Sequence, residues 1–230
     1  MDQRCCSRSS ALPQAWCPPK LKCCPTASLV VAYSCAPLSL DAVGETVKRK
    51  GDGTSETESV KTRIYRDASG RVRAEPDVNS TSSGRMIRIY DPVVGLNIAL
   101  MPMGRIAYRT AFPAAKEKPC FRPPFASVAE MHRGSEPKGR KSEILGDRLI
   151  EGIKFEGSRL TIALEDRSLQ IVERWFSLDL GVTALAITSG PIGTTKGWIE
   201  NVTRAEPDPS LFLIPPDYTV QDIPVPQPPQ

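Results

Sequence analysis

The stretch LQIVERWF, residues 169–176, decides how the chain is read. Glu173 and Trp175 fall on one side of a two-residue period, and Val172, Arg174 and Phe176 on the other. Such alternation, rich in β-branched and aromatic residues, is the pattern of a strand. Working outward, Glu165-Asp166-Arg167-Ser168 is a turn by composition, and Leu160, Ile162 and Leu164 form one face of the strand before it. Before that, Ile153 and Phe155 alternate with charges, and Gly157-Ser158 is expected to turn. Strands resume after the long central connection at about Glu143. Val182–Thr188 and Lys196–Arg204 continue the series downstream.

The same rhythm runs through the first half. Glu56–Tyr65 places Val60, Thr62 and Ile64 on one face and Lys61, Arg63 and Tyr65 on the other. Gly51-Asp52-Gly53 reads as a hairpin turn before it, and Asp67-Ala68-Ser69-Gly70 turns the chain into Arg71–Glu75. Arg85–Tyr90 is β-rich, Asp91–Gly95 turns, and Leu96, Ile98 and Leu100 alternate on the return. Arg105–Arg109 is a further short strand. Strands about ten residues apart with little helix predict a mainly β fold, a curved antiparallel meander forming a half-barrel or sandwich.

Three segments stand outside this pattern. Residues 1–42 form a leader with no strand or helix period. A secretory signal is one reading: Lys20 and Lys22 supply the basic region, Ala27–Leu40 the apolar one, and Ser34-Cys35-Ala36 a cleavage site. A misassigned start codon, with residues 1–40 never folding, is the other. Residues 43–220 read as one β domain carrying a flexible insertion at 111–142, where Pro113, Pro119, Pro123, Pro124, Gly134, Pro137 and Gly139 oppose regular structure. Ala126–His132 offers one or two helical turns within it. Residues 221–230 are a Pro-rich tail, and IPVPQPPQ (223–230) favours extended polyproline II.

At the end of the domain, RAEPDPSLFLIPPDYTV (204–220) alternates prolines with large apolar residues. Asp208-Pro209-Ser210 should start a single helical turn, capped by Asp208 or Ser210. Leu211, Phe212 and Ile214 should then plug one end of the curved sheet.

Several segments together resemble a group of uncharacterised secreted proteins abundant in Acidobacteria. They are IYRDASGRVRAE (64–75), YDPVVGLNIAL (90–100), LGDRLIEGIKFEGSR (145–159), IVERWFSLDL (171–180) and NVTRAEPDPSLFLIPPDYTV (201–220). That family is similar in outline to the LolA-like lipoprotein-carrier folds. The resemblance implies a periplasmic or secreted protein, or a cytoplasmic one if residues 1–42 are not a working signal. It carries no catalytic residues over. The chain departs from it in lacking a clean signal, in the short link from Arg159 to Leu169, and at Gly190–Gly197.

The chemistry that the residues exclude is broad. Residues 1–40 hold Arg4, Arg8, Lys20 and Lys22 against Asp2, leaving 26 basic and 25 acidic residues in the body. That balance lacks the concentrated basic face of a nucleic-acid binder. No apolar run is long enough for a transmembrane segment. Six of the seven cysteines lie in the first 35 residues, with no C-x-x-C pair and no histidine among them, which argues against zinc and gives little weight to a disulfide-stapled N-terminus. The single histidine, His132, reads as a solvated loop residue. The acid pairs Glu151 with Glu156 and Glu165 with Asp166 read as wet-surface groups. No nucleotide loop or nucleophile elbow is present. The expectation is a non-enzymatic protein without cofactor or metal.

The expected function is an apolar or lipid-like ligand held in the curved sheet, with Ala111–Ser142 as a cover. Glu173, Trp175, Ile162, Phe155 and Trp198 are the candidates for lining such a cavity. Glu173 and Trp175 also fit a bland cross-strand role, with Glu173 meeting an Arg or Lys opposite. A structural or protein-interaction module of the cell envelope is the alternative. A hydrolase without recognisable motif comes third.

Overall fold

The computed structural model describes residues 35–77, 86–112, 114, 127–128, 139–150 and 152–224. They form one open, curved sheet of twelve strands, antiparallel but for one pair, with almost no helix. The strands are β1 (Leu38–Arg49), β2 (Ser55–Arg66), β3 (Val72–Pro76), β4 (Ile87–Asp91), β5 (Leu96–Met101) and β6 (Ile106–Ala111). After the central connection come β7 (Arg140–Ile150), β8 (Ile153–Ala163), β9 (Leu169–Ser177), β10 (Val182–Gly190), β11 (Gly193–Thr203) and β12 (Thr219–Ile223). Their spatial order is β12-β6-β5-β4-β3-β2-β1-β11-β10-β9-β8-β7. Two meanders are therefore joined side by side through β1 and β11.

The turns follow from their residues. Asp67 Oδ1 accepts the Ser69 and Arg71 amides, and Asp91 Oδ1 those of Val93 and Val94. At the first hairpin, the Lys50 amide donates to the Thr54 carbonyl, and Gly53 takes φ +84°.

Four expectations are corrected. First, β1 starts at Leu38, inside the segment assigned to the leader. Leu38, Leu40 and Ala42 are fully buried in a central strand between β2 and β11. Leu38, Leu40 and Ala42 alternate with Ser39 and Asp41, but this short alternation is hidden because Leu38 and Leu40 also end the apolar stretch 27–40 that reads as a signal. Second, β7 takes in residues 140–142 of the expected insertion. Third, β12 takes in residues 221–223 of the expected tail and pairs in parallel with β6, anchored by Asp222 accepting from Arg109 Nε at 2.8 Å and Nη2 at 2.9 Å. Fourth, Gly157-Ser158 is not a turn.

Strand β8 runs straight through Gly157. A Cβ built there would meet ring atoms of Trp175 at 2.7–2.9 Å, so glycine is required by the indole lying across it from β9. The turn lies earlier, where Gly152 takes φ +74°. Unbroken alternation then puts Phe155 and Ile162 on opposite faces, because they are an odd number of residues apart.

The core has two parts. Leu38, Leu40, Ala42 and Ile64 cluster with Phe155, Trp175, Leu180, Val182 and Ala184. Ile89, Ile98, Leu100 and Ala107 form a second cluster around Phe212. Phe212 belongs to a single 3-10 turn, Pro209–Phe212, capped by the Asp208 carboxylate accepting the Ser210 amide at 2.8 Å. Leu211 and Ile214 pack against the same cluster. The clasp thus closes over β4–β6, far from β11, the strand it follows. Arg73 Nη1 donates to the Leu211 carbonyl at 2.6 Å, and the Arg71 guanidinium stands 4.8 Å from the Phe212 ring.

The leader's residues 1–34, most of 111–142 including His132, and the tail's 225–230 lie outside the described residues. Within 111–142, Val128 is buried and its amide donates to Glu156 on β8 at 2.6 Å.

Two substitutions test this packing. Gly157→Ala should lower stability by about 1–3 kcal/mol through overpacking, while Gly51→Ala, with open space around it, should stay near neutral. Urea melts of both compare them, and equal midpoints would refute the Trp175 account. Phe212→Ala should cost about 3–5 kcal/mol, and an unchanged melting temperature would contradict the clasp.

Candidate functional site

The sheet register aligns an apolar row. Trp175 on β9 stands opposite Leu185 on β10, Leu185 opposite Trp198 on β11, and Trp198 opposite Val43 on β1. A bulge at Ala184 and another in β11, where Asn201 takes φ +54°, disturb the ladders at the lower end of this row. Bulges bend a strand and increase its twist. There the sheet opens an apolar pocket of about 310 Å³.

Its walls come from four strands: Ile150 at the end of β7, Ile153 and Phe155 of β8, Ala184 and Leu185 of β10, and Lys196, Trp198, Ile199 and Val202 of β11. The volume is at the lower end of the roughly 300–1,000 Å³ usual for small-molecule sites. Lys196 is the single charged lining residue, its ammonium 4.9 Å from the centre of the Trp198 ring. Leu149, 77% exposed, stands opposite Lys154 and so faces the other side of the sheet from Ile150 and Ile153.

Of the five residues expected to line a cavity, Phe155 and Trp198 do so. Trp175 does not. It is 2% exposed, lies against Gly157, and is covered by the Arg148 guanidinium 4.1 Å from its ring centre. Glu173 is engaged elsewhere, accepting from Trp175 Nε1 at 3.0 Å and from Arg159 Nη2, directly opposite on β8, at 3.0 Å. Ile162 is on the other face of β8 and near its far end. Sequence reading missed Lys196, whose signal was its two-residue spacing from Trp198, and the bulge residue Ala184, which local pattern does not mark.

A second hollow, of about 290 Å³, is polar and lined by Asp41, Lys61, Arg63, Glu75, Pro76 and Asp77. Asp41 is its hub, accepting from Asn201 Nδ2 at 2.7 Å, Lys61 Nζ at 3.0 Å and Arg63 Nη1 at 3.1 Å. Lys61 also meets Glu200 at 2.7 Å, and Arg63 reaches Ser39 Oγ at 3.0 Å. These charges satisfy one another, which makes the hollow a bracket across β1, β2 and β11 and a poor receptor. Burial pushes the Asp41 carboxyl up, but its three hydrogen-bond donors outweigh this and hold it below the usual range. The Trp175 indole, opposed by burial and helped by Arg159, lowers Glu173 likewise.

Among the described residues, no group of three His, Cys, Asp or Glu could hold a metal ion, and no helix is long and apolar enough to cross a membrane.

No family model matches the chain, and no curated protein matches it. Solved structures similar to it in outline include a chain of the Pseudomonas aeruginosa MucA/MucB complex, at 11% identity and TM-score 0.41, covering 84% of this chain and 61% of that one. This chain therefore spans about three-fifths of that relative. A LolA superfamily protein from Nitrosomonas europaea follows at 7% identity and TM-score 0.35, covering 82% of this chain and 94% of that one. The Mycobacterium tuberculosis lipoprotein LppX has 11% identity and TM-score 0.32, covering 73% and 87%.

The lowered carboxylates have a consequence for acid stability. Each contributes stability that is complete above the unfolded-state pKa, about 4, and is lost as pH falls through the lower folded-state value. Urea midpoints should therefore drop below pH 4. Asp41→Asn should be less stable at pH 7 and show a shallower decline on acidification; a decline as steep as that of the unsubstituted protein would contradict the network.

Proposed function

We propose that this is a non-catalytic envelope protein that binds an apolar or lipid-like molecule in the pocket between β7, β8, β10 and β11. The observation that carries the reading is the pocket itself. An open volume of about 310 Å³ walled by Phe155, Leu185, Trp198 and their neighbours is apolar, whereas the other hollow of similar size is filled with paired charges. Binding an apolar chain there would remove lining surface from water, at roughly 25 cal/mol per Å². Glu173 and Arg159, on the neighbouring strands β9 and β8, neutralise each other and offer no reactive pair.

Cys35 is disulfide-bonded, which favours an oxidising compartment outside the cytoplasm. The cysteine spacing of residues 1–35 gives such a bond little weight by itself. The motif resemblance to secreted proteins supports the same location.

A protein-interaction role is the second reading, favoured by β7. It is the last strand of the sheet, and it exposes Ile144, Leu149 and Ile150.

The neutral fluorescent probe N-phenyl-1-naphthylamine tests the first reading. It should bind saturably at one site, and Val202→Phe, which fills the pocket, should abolish binding while circular dichroism shows an intact sheet. Absence of saturable binding, or binding untouched by Val202→Phe in a folded protein, would overturn the pocket's role.

A further inference from the structure

Among the described residues the pocket lining carries one charge, a cation, and no carboxylate is paired with it. Lys196 is exposed and stands directly opposite Glu45 on β1 and Ile187 on β10. A cross-strand ion pair with Glu45 would be the ordinary use of such a lysine. Among the described residues it forms none. Its ammonium instead stands over Trp198, a wall of the pocket. An ammonium on an aromatic face keeps N–H groups free to donate outward.

The other carboxylate in this row, Glu173 opposite Ile187, is held by Arg159 and Trp175. A second cation, Arg148, lies over Trp175 and acts on Glu173, so it belongs to that pair and not to the pocket lining. The pocket therefore combines apolar walls with a positive lip. That combination complements a molecule with an apolar chain and an anionic end. A cationic head would meet Lys196 with repulsion, and a neutral head would gain nothing from it.

We propose that the pocket takes a single-chain anionic amphiphile, its tail against Phe155, Leu185 and Val202 and its carboxylate or phosphate head on Lys196. This rests on the apolar-pocket reading above and adds the charge of the ligand to it. Glu45 is then a competitor for the same ammonium.

Displacement of N-phenyl-1-naphthylamine by decanoate, decyl phosphate, decanol and decyltrimethylammonium, each below its micellar concentration, tests it. At least one anion should bind roughly ten-fold tighter than decanol, as a charge-assisted hydrogen bond would give. Lys196→Gln should erase that preference and leave decanol unchanged, Lys196→Arg should keep it, and Glu45→Gln should strengthen it. Comparison of the two anions separates a carboxylate from a phosphate head. Equal binding of both anions and decanol, or a preference that survives Lys196→Gln, would overturn the head-group assignment while leaving the pocket standing. Failure of every chain to displace the probe would instead defeat the pocket reading itself.

Discussion

The Arg66 guanidinium is the constraint on which the rest of the sheet depends. It is fully buried at the end of β2, opposite Leu38. Nε and Nη2 donate to the Ala36 carbonyl at 3.0 and 2.9 Å, and Nη2 also donates to the Leu180 carbonyl. Removing a charge from water is costly, and burial pulls this group down to about 10. The return is geometric. One planar fork ties the entry of β1 to the β9–β10 turn. Since β1 joins the two meanders, that tie fixes how the half containing β10 and β11 sits against the half containing β2 and β3. Disulfide-bonded Cys35 immediately precedes Ala36, whose carbonyl takes these hydrogen bonds. Losing the guanidinium would leave the Leu180 and Ala36 carbonyls short of a donor beside the Leu38–Leu40 core, which costs more than a surface bond.

Around that tie, the two apolar clusters divide the labour. The one under β4–β6 is closed by Phe212 and sealed at its edge by β12, so its interior is filled by the chain's own C-terminal segment. The other is closed by residues from β1, β8, β9 and β10, and it is here that the ladders are broken by bulges. The extra residue at Ala184 and the left-handed Asn201 interrupt the β9–β10 and β1–β11 ladders on two of the strands that wall the pocket. The Asp41 bracket holds β1, β2 and β11 together just beyond it, which lets the sheet open without coming apart.

The sequence made most strands legible because half-buried strands alternate. The Glu173–Phe176 pattern, the Val60–Ile64 face and the Asp208 cap all translate directly into local geometry. What it hid was decided across strands. Gly157 looks like a turn residue locally, and its real cause is the Trp175 ring eighteen residues away. Leu38 and Leu40 look like the end of a signal core because the apolar stretch 27–40 runs into them, whereas their alternation with Ser39 and Asp41 belongs to a strand. Residues 221–223 look like a polyproline tail because Pro224 and Pro226 follow them, whereas Arg109 on another strand recruits Asp222. The candidate site shows the same division. Phe155 and Trp198 could be chosen as large apolar residues on strands, but the misplaced turn put Ile162 on the wrong face, and nothing within its own strand singles out Lys196.

That last residue shows why a pocket's chemistry is harder to read than its fold. Within a strand, Lys196 between Thr195 and Gly197 is a solvated group like any other. Its meaning changes only when Trp198 becomes a wall and Glu173 is seen to be taken by Arg159. An ion pair removed from the row leaves one cation facing apolar surface, and a cation beside apolar surface selects against neutral and cationic chains alike. Specificity here would come from one unfilled valence at the lip. The affinity would come from walls that any apolar chain could use. Separating those two contributions explains how a sheet built almost wholly from ordinary cross-strand pairs could still discriminate between ligands.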